Sequence, residues 1–163
     1  DVMMGPLVSA KQRERVLGYI DKGLAEGAKL ALGGGRPQAF DKGFYVEPTL
    51  FVNVDNKMTI AQEEIFGPVL ALIGYEDEND AVRIANESRY GLIGSVMTSS
   101  IERGQAVARR IRAGVLSING GAAHGAEMPF GGYKFSGIGR HNGEAGFNQY
   151  LETKSVAWPI PKK

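Results

Sequence analysis

Cysteine is absent from the 163-residue chain. Disulfides are therefore excluded, and so is any reaction that the chain would run through a thiolate of its own. Histidine occurs only twice, as His124 and His141, so a zinc site built on Cys and His ligands is not expected. No apolar run approaches the roughly 20 residues that span a bilayer, and no signal-peptide pattern is visible. Net charge is almost nil, with 19 basic and 18 acidic side chains interspersed. That distribution argues against a nucleic-acid stripe or a polybasic membrane anchor, both of which need clustered Lys and Arg. The densest basic group, Arg109, Arg110 and Arg112, reads as a helix end complementing its dipole. Apolar residues make up 43% and charged residues 23%, as in an ordinary globular chain long enough for one core. Cytoplasmic location is the default. The chain opens on Asp1 and reaches Gly5-Pro6-Leu7-Val8 at once, which reads as the middle of a protein; a processed terminus is the plainer alternative.

Apolar spacing outlines the elements. Ser9 caps a helix carrying Val16, Leu17, Ile20 and Leu24 at helical intervals and ending near Gly27. Lys29 to Leu32 is a short strand stopped by glycines 33 to 35. Phe44 to Phe51 is extended, and Pro48 within it predicts an edge strand or a break. Thr59 to Glu64 is a helical turn. Val69 to Tyr75 is a continuous apolar run, the pattern of a strand buried on both faces. Glu78 to Glu87 is helical, capped by Asp77 or Asn79, with Ala81, Val82, Ile84 and Ala85 inward. A strand at Leu92 to Thr98, a helix at Ile101 to Ala113 and a strand at Val115 to Asn119 follow. Such alternation with short joints predicts an α/β fold, a parallel sheet with flanking helices, over about 65–119. Residues 120–146 are dense in glycine and read as an ordered loop system, followed by a short helix at Ala145 to Leu151. Glu152 to Ile160 is an extended arm.

Two segments carry the chemistry. Glu63-Glu64-Ile65-Phe66-Gly67-Pro68 precedes the first strand of the parallel unit, and ligand sites in such sheets gather at strand ends. A carboxylate there can accept two hydrogen bonds from vicinal ribose hydroxyls, and a phenyl ring nearby can pack on a nicotinamide; a solvated helix end is the plainer alternative. Asn119 to Gly132 and Pro129-Phe130-Gly131-Gly132-Tyr133-Lys134-Phe135-Ser136-Gly137 form the second segment. Three other patterns are set aside. Gly33-Gly34-Gly35 lacks the helix and lysine of a phosphate loop. Gly137-Ile138-Gly139 has Asn142 where a dinucleotide fingerprint needs glycine. Ser136 with His141 lacks the nucleophile elbow of a hydrolase.

Both segments closely resemble the C-terminal part of the NAD(P)-dependent aldehyde dehydrogenases, and the match is collinear over nearly the whole chain. The resemblance implies that Glu64 binds the nicotinamide ribose of NAD or NADP and that Phe66 packs on that end of the cofactor. It places Gln12 and Arg15, three residues apart on the first helix, near the same ribose, with a solvated polar face as the alternative. Phe130 falls on the aromatic wall beside the reacting aldehyde carbon. His124 falls on a variable, often aromatic position of that wall, or is an exposed loop histidine. Asn86, Tyr90 and Gly91 match a structural helix exit.

The family reaction needs a cysteine nucleophile, a glutamate base and an oxyanion-holding asparagine, and the resemblance puts all three outside this chain. Residues 1–150 then correspond to part of a catalytic domain, and 151–163 to an oligomerisation strand that pairs with a neighbouring subunit, giving a homo-oligomer. Thr153, Ser155, Ala157 and Pro159 alternate there with Lys154, Val156, Trp158 and Ile160. Alone, Glu64 would hold a ribose by ~1–3 kcal/mol, less than millimolar binding requires, so the isolated chain is expected to be inactive. The alternative from another class is a non-catalytic oligomerisation or regulatory module. A CoA-acylating relative is a third reading that these segments do not decide.

Overall fold

The computed structural model describes residues 4–121 and 125–161, and the chain divides into two compact units, Asp1–Ser88 and Arg89–Lys163. In the first unit the order is α1 (Ala10–Ala25), β1 (Lys29–Leu32), β2 (Thr49–Val52), α2 (Thr59–Gln62), β3 (Val69–Ala71) and α3 (Glu78–Glu87). α1 starts where Ser9 accepts a hydrogen bond from the amide of Gln12, as a serine cap should. α3 starts in the same way on Asp77, which accepts from the Asp80 amide. Val16, Ile20 and Phe51 are essentially inaccessible and centre the core, joined by Ala28, Val46, Val54, Ile60 and Ile65. Gly23 lets α1 approach so closely that a Cβ there would lie 3.0 Å from Ile60 and 3.2 Å from Phe51.

The sheet of this unit has the order β1-β2-β3, antiparallel between β1 and β2 and parallel between β2 and β3. Pro48 therefore does not mark an edge. It stands just before β2, the central strand, where its missing N–H costs no ladder bond. β3 is shorter than the apolar run suggested, and it is not buried on both faces: Leu70 and Leu72 are mostly exposed while Val69, Ala71 and Ile73 pack against the core. The run is apolar on two faces, but within this unit only one of them meets a packed layer. Ala85, expected inward, is exposed on α3, whereas Val82 is buried.

In the second unit β4 (Ile93–Val96) and β5 (Val115–Ile118) pair in parallel around α4 (Ile101–Ala108). The parallel crossovers expected from the alternation thus occur, but the strands of 65–119 are shared between two sheets, with β3 paired to β2. α4 ends five residues earlier than its sequence pattern. The amides of Arg110 and Ile111 bond three residues back, to Val107 and Ala108, so the chain tightens into a turn before the arginines. Beyond β5, Phe130 and His141 exchange both backbone hydrogen bonds, at 2.8 and 2.7 Å, and a 3-10 turn covers Lys134–Ser136. α5 (Gly143–Asn148) starts two residues and ends three residues earlier than expected, and 152–161 run without secondary structure, with Val156, Trp158 and Ile160 exposed.

Candidate functional site

One stripe of α1 grips four consecutive residues of the segment between α2 and β3. Gln12 Nε2 donates to the carbonyls of Ile65 (3.1 Å) and Phe66 (2.9 Å). Arg15, one turn on, donates to the carbonyl of Glu64 at 2.9 Å. Tyr19, a further turn along, donates its hydroxyl to the Glu63 carboxylate at 2.7 Å. The spacing of 12, 15 and 19 places all three on one helix face. Gly67 allows the close approach: a Cβ there would stand 2.5 Å from Cγ2 of the fully buried Val16. The outcome is a fixed ledge on which Glu64 and Phe66 are exposed.

Phe66 takes φ of +55°, a left-handed conformation that costs a bulky residue about 1–2 kcal/mol. It is also 71% exposed, so packing does not explain its presence there. A strained backbone at an exposed aromatic is the kind of outlier that gathers at ligand sites. The Arg15 guanidinium and the Lys22 ammonium lie 5.4 and 5.6 Å from the centre of the Tyr19 ring. The Tyr19 hydroxyl is held above its ordinary pKa, first by its hydrogen bond to Glu63, then by burial and the Glu63 charge; Arg15 opposes the shift.

Gln12 and Arg15 are thus not a merely solvated face; they brace Glu64 and Phe66 through the backbone. Tyr19 escaped the sequence reading, and Glu63 was read only as part of the motif, not as the partner of Tyr19; the polar stripe at 12, 15 and 19 was a signal that could have found the pair. Phe130 lies in the second unit, partly buried and tied to His141 by the two-bond bridge. His124 lies outside the described residues. A separate concavity of about 570 Å³ in the first unit is bordered by Asn56, Lys57, Tyr75 and α3. Part of its charge is internally paired: Arg83 pairs with Asp80 at 2.7 Å and with Glu87, which also accepts from Asn56. Among the described residues no group of three His, Cys, Asp or Glu side chains could hold a metal ion, and no helix is long and apolar enough to cross a membrane.

With that geometry in place, the comparisons with known proteins agree on one class. Residues 1–156 match the aldehyde dehydrogenase family, and the chain belongs to that family. It is 52% identical over 155 residues to a betaine aldehyde dehydrogenase of Brucella melitensis, covering 94% of this chain and 32% of the relative. Its fold superposes on a Mycobacterium tuberculosis aldehyde dehydrogenase complexed with NAD+ with TM-score 0.91 and 55% identity, over 98% of this chain and 33% of that one. The NAD+ complex of a Bacillus cereus aldehyde dehydrogenase gives TM-score 0.89 at 47% identity, over 95% and 31% of the two chains. The chain spans about a third of the length of the relatives it matches.

Proposed function

We propose that this chain is the C-terminal portion of an NAD(P)-dependent aldehyde dehydrogenase and supplies its grip on the nicotinamide ribose. The observation that carries the reading is the braced ledge, with an exposed carboxylate at Glu64 and a strained, exposed ring at Phe66. These groups fit the cofactor on chemical grounds. A carboxylate accepts from both hydroxyls of a vicinal diol, and a phenyl face suits a flat heterocycle. Gln12 and Arg15 serve the site by holding the backbone that carries both groups. Phe130, with His124, would line the substrate side.

The whole enzyme would convert an aldehyde, water and the oxidised cofactor into a carboxylic acid, the reduced cofactor and one proton. The bound nicotinamide supplies the hydride acceptor. Because the chain holds no cysteine, the nucleophile of that reaction must come from outside it. Residues 1–150 would contribute to the catalytic domain and 151–163 to an oligomerisation strand, with a second copy engaging residues 152–160. The exposed Val156, Trp158 and Ile160 support that partner, and they are also what favours a purely non-catalytic assembly module as the second reading. A thiolate enzyme suits the reducing cytoplasm, and neither nucleic acid nor membrane enters the reading.

Absorbance of the reduced nicotinamide tests the proposal. The purified chain with NAD+ and betaine aldehyde should give no turnover. A full-length hybrid, in which this chain replaces the matching third of the Mycobacterium tuberculosis relative, should oxidise aldehyde. In that hybrid Glu64→Gln should raise KM for NAD+ by about 5–150-fold, the equivalent of ~1–3 kcal/mol. Turnover by the chain alone, or an active hybrid indifferent to Glu64→Gln, refutes it.

A further inference from the structure

We propose that Tyr19 is a positioning residue for the Glu64–Phe66 ledge, acting through its hydrogen bond to the carboxylate of Glu63. The inference rests on the reading of that ledge as the nicotinamide grip. Two carboxylates stand side by side at 63 and 64, and Glu63 is itself the extended residue, at φ −116° and ψ 148°, that closes α2. Only one can serve a diol if the other's charge is to be kept from competing for the same donors. Tyr19 makes the division: its hydroxyl engages Glu63 at 2.7 Å, while Arg15 and Lys22 flank the phenol ring and offset that charge. Among the described residues Glu64 is gripped by its carbonyl, through Arg15, and its exposed carboxylate stays presented.

The latch also bears on Phe66. A left-handed aromatic persists only where its surroundings over-determine it. Gln12 fixes the carbonyls at 65 and 66, downstream of the carboxylate pair, and Arg15 the one at 64. Tyr19 anchors the upstream end, and it is the contact of the stripe that seizes a side chain rather than the backbone. Its loss frees the ledge to pivot about Glu64, moving the carboxylate and the ring together.

The test uses Tyr19→Phe, which keeps the ring between its two cations and removes only the hydroxyl. On the full chain, a glutamyl endopeptidase should cut after Glu64 about fivefold faster in the variant, while cleavage after Glu78 and Glu144 keeps its wild-type rate. In an alkaline absorbance titration, with the Tyr19→Phe curve subtracted to isolate the Tyr19 phenol, that phenol should ionise above its ordinary pKa, and Glu63→Gln should bring it back toward it. In the active hybrid, Tyr19→Phe should raise KM for NAD+ about fivefold with kcat changed less than about twofold. If Glu64→Gln raises KM and Tyr19→Phe leaves it alone, the positioning role is wrong and the ribose grip stands. If neither moves KM, the grip itself fails and the positioning role falls with it. If the hybrid cannot be obtained, unchanged cutting after Glu64 in the chain overturns the proposal.

Discussion

Replacing Phe66 puts the strain of the ledge to a direct measurement. Phe66 sits at φ +55° with 71% of its surface exposed, so its removal forfeits little burial. At such a position alanine, like phenylalanine, pays about 1–2 kcal/mol for the left-handed backbone. Glycine pays nothing there, but loses about 0.5–1 kcal/mol more chain entropy on folding. The difference leaves Phe66→Gly more stable than Phe66→Ala by about 0.5–1 kcal/mol, the reverse of the order in a helix or strand interior. For a chain of this size that corresponds to a melting temperature higher by about 1–4 °C. Thermal unfolding of the two variants, followed by far-ultraviolet circular dichroism in one buffer, reads the gap. If Phe66→Ala equals or exceeds Phe66→Gly, the backbone at 66 is not strained, and Phe66 loses its mark as a ligand-site residue.

Other perturbations follow from the same contacts. Gly67→Ala drives a methyl into Val16, whose branched, buried side chain has nowhere to turn, and should cost about 1–3 kcal/mol. Denaturant midpoints should show Val16→Ala recovering part of that loss, so that the two substitutions are non-additive. Phe51→Ala empties the centre of the first core and should cost about 3–5 kcal/mol by the same assay. Glu26 joins the end of α1 to the start of α2, accepting from the Thr59 hydroxyl at 2.5 Å and amide at 2.7 Å, and the hydroxyl bond above all holds its pKa below the ordinary carboxylate range. A depressed folded pKa contributes stability above the unfolded value and loses it as pH falls through the folded one. The gap between wild type and Glu26→Gln should therefore be full at neutral pH and close progressively below about pH 4.3; a gap that widens on acidification contradicts the assignment.

What could be read from the sequence was local. The stripe Val16, Leu17, Ile20 with its Ser9 cap announced α1, and Asp77 with Val82 announced α3, because period and cap lie within a few residues of each other. Strand partners were not legible in the same way. Nothing in Val69-Leu70-Ala71 says that it pairs with Thr49-Leu50-Phe51 rather than with the next strand, since pairing is decided by packing between distant segments. The candidate site divided along the same line. Glu64 and Phe66 were visible as a motif, whereas the role of Gln12 and Arg15 lies in carbonyls about fifty residues away, which no side-chain pattern records.

The chain's single tryptophan, Trp158, is three-quarters exposed on the carboxy-terminal arm, remote in sequence from the Val16, Ile20 and Phe51 core. Its emission will already be red-shifted in the native protein, so intrinsic fluorescence is a poor gauge of whether the first unit has melted. The same indole will turn blue when another surface shields the arm, which makes it an unlabelled reporter of association.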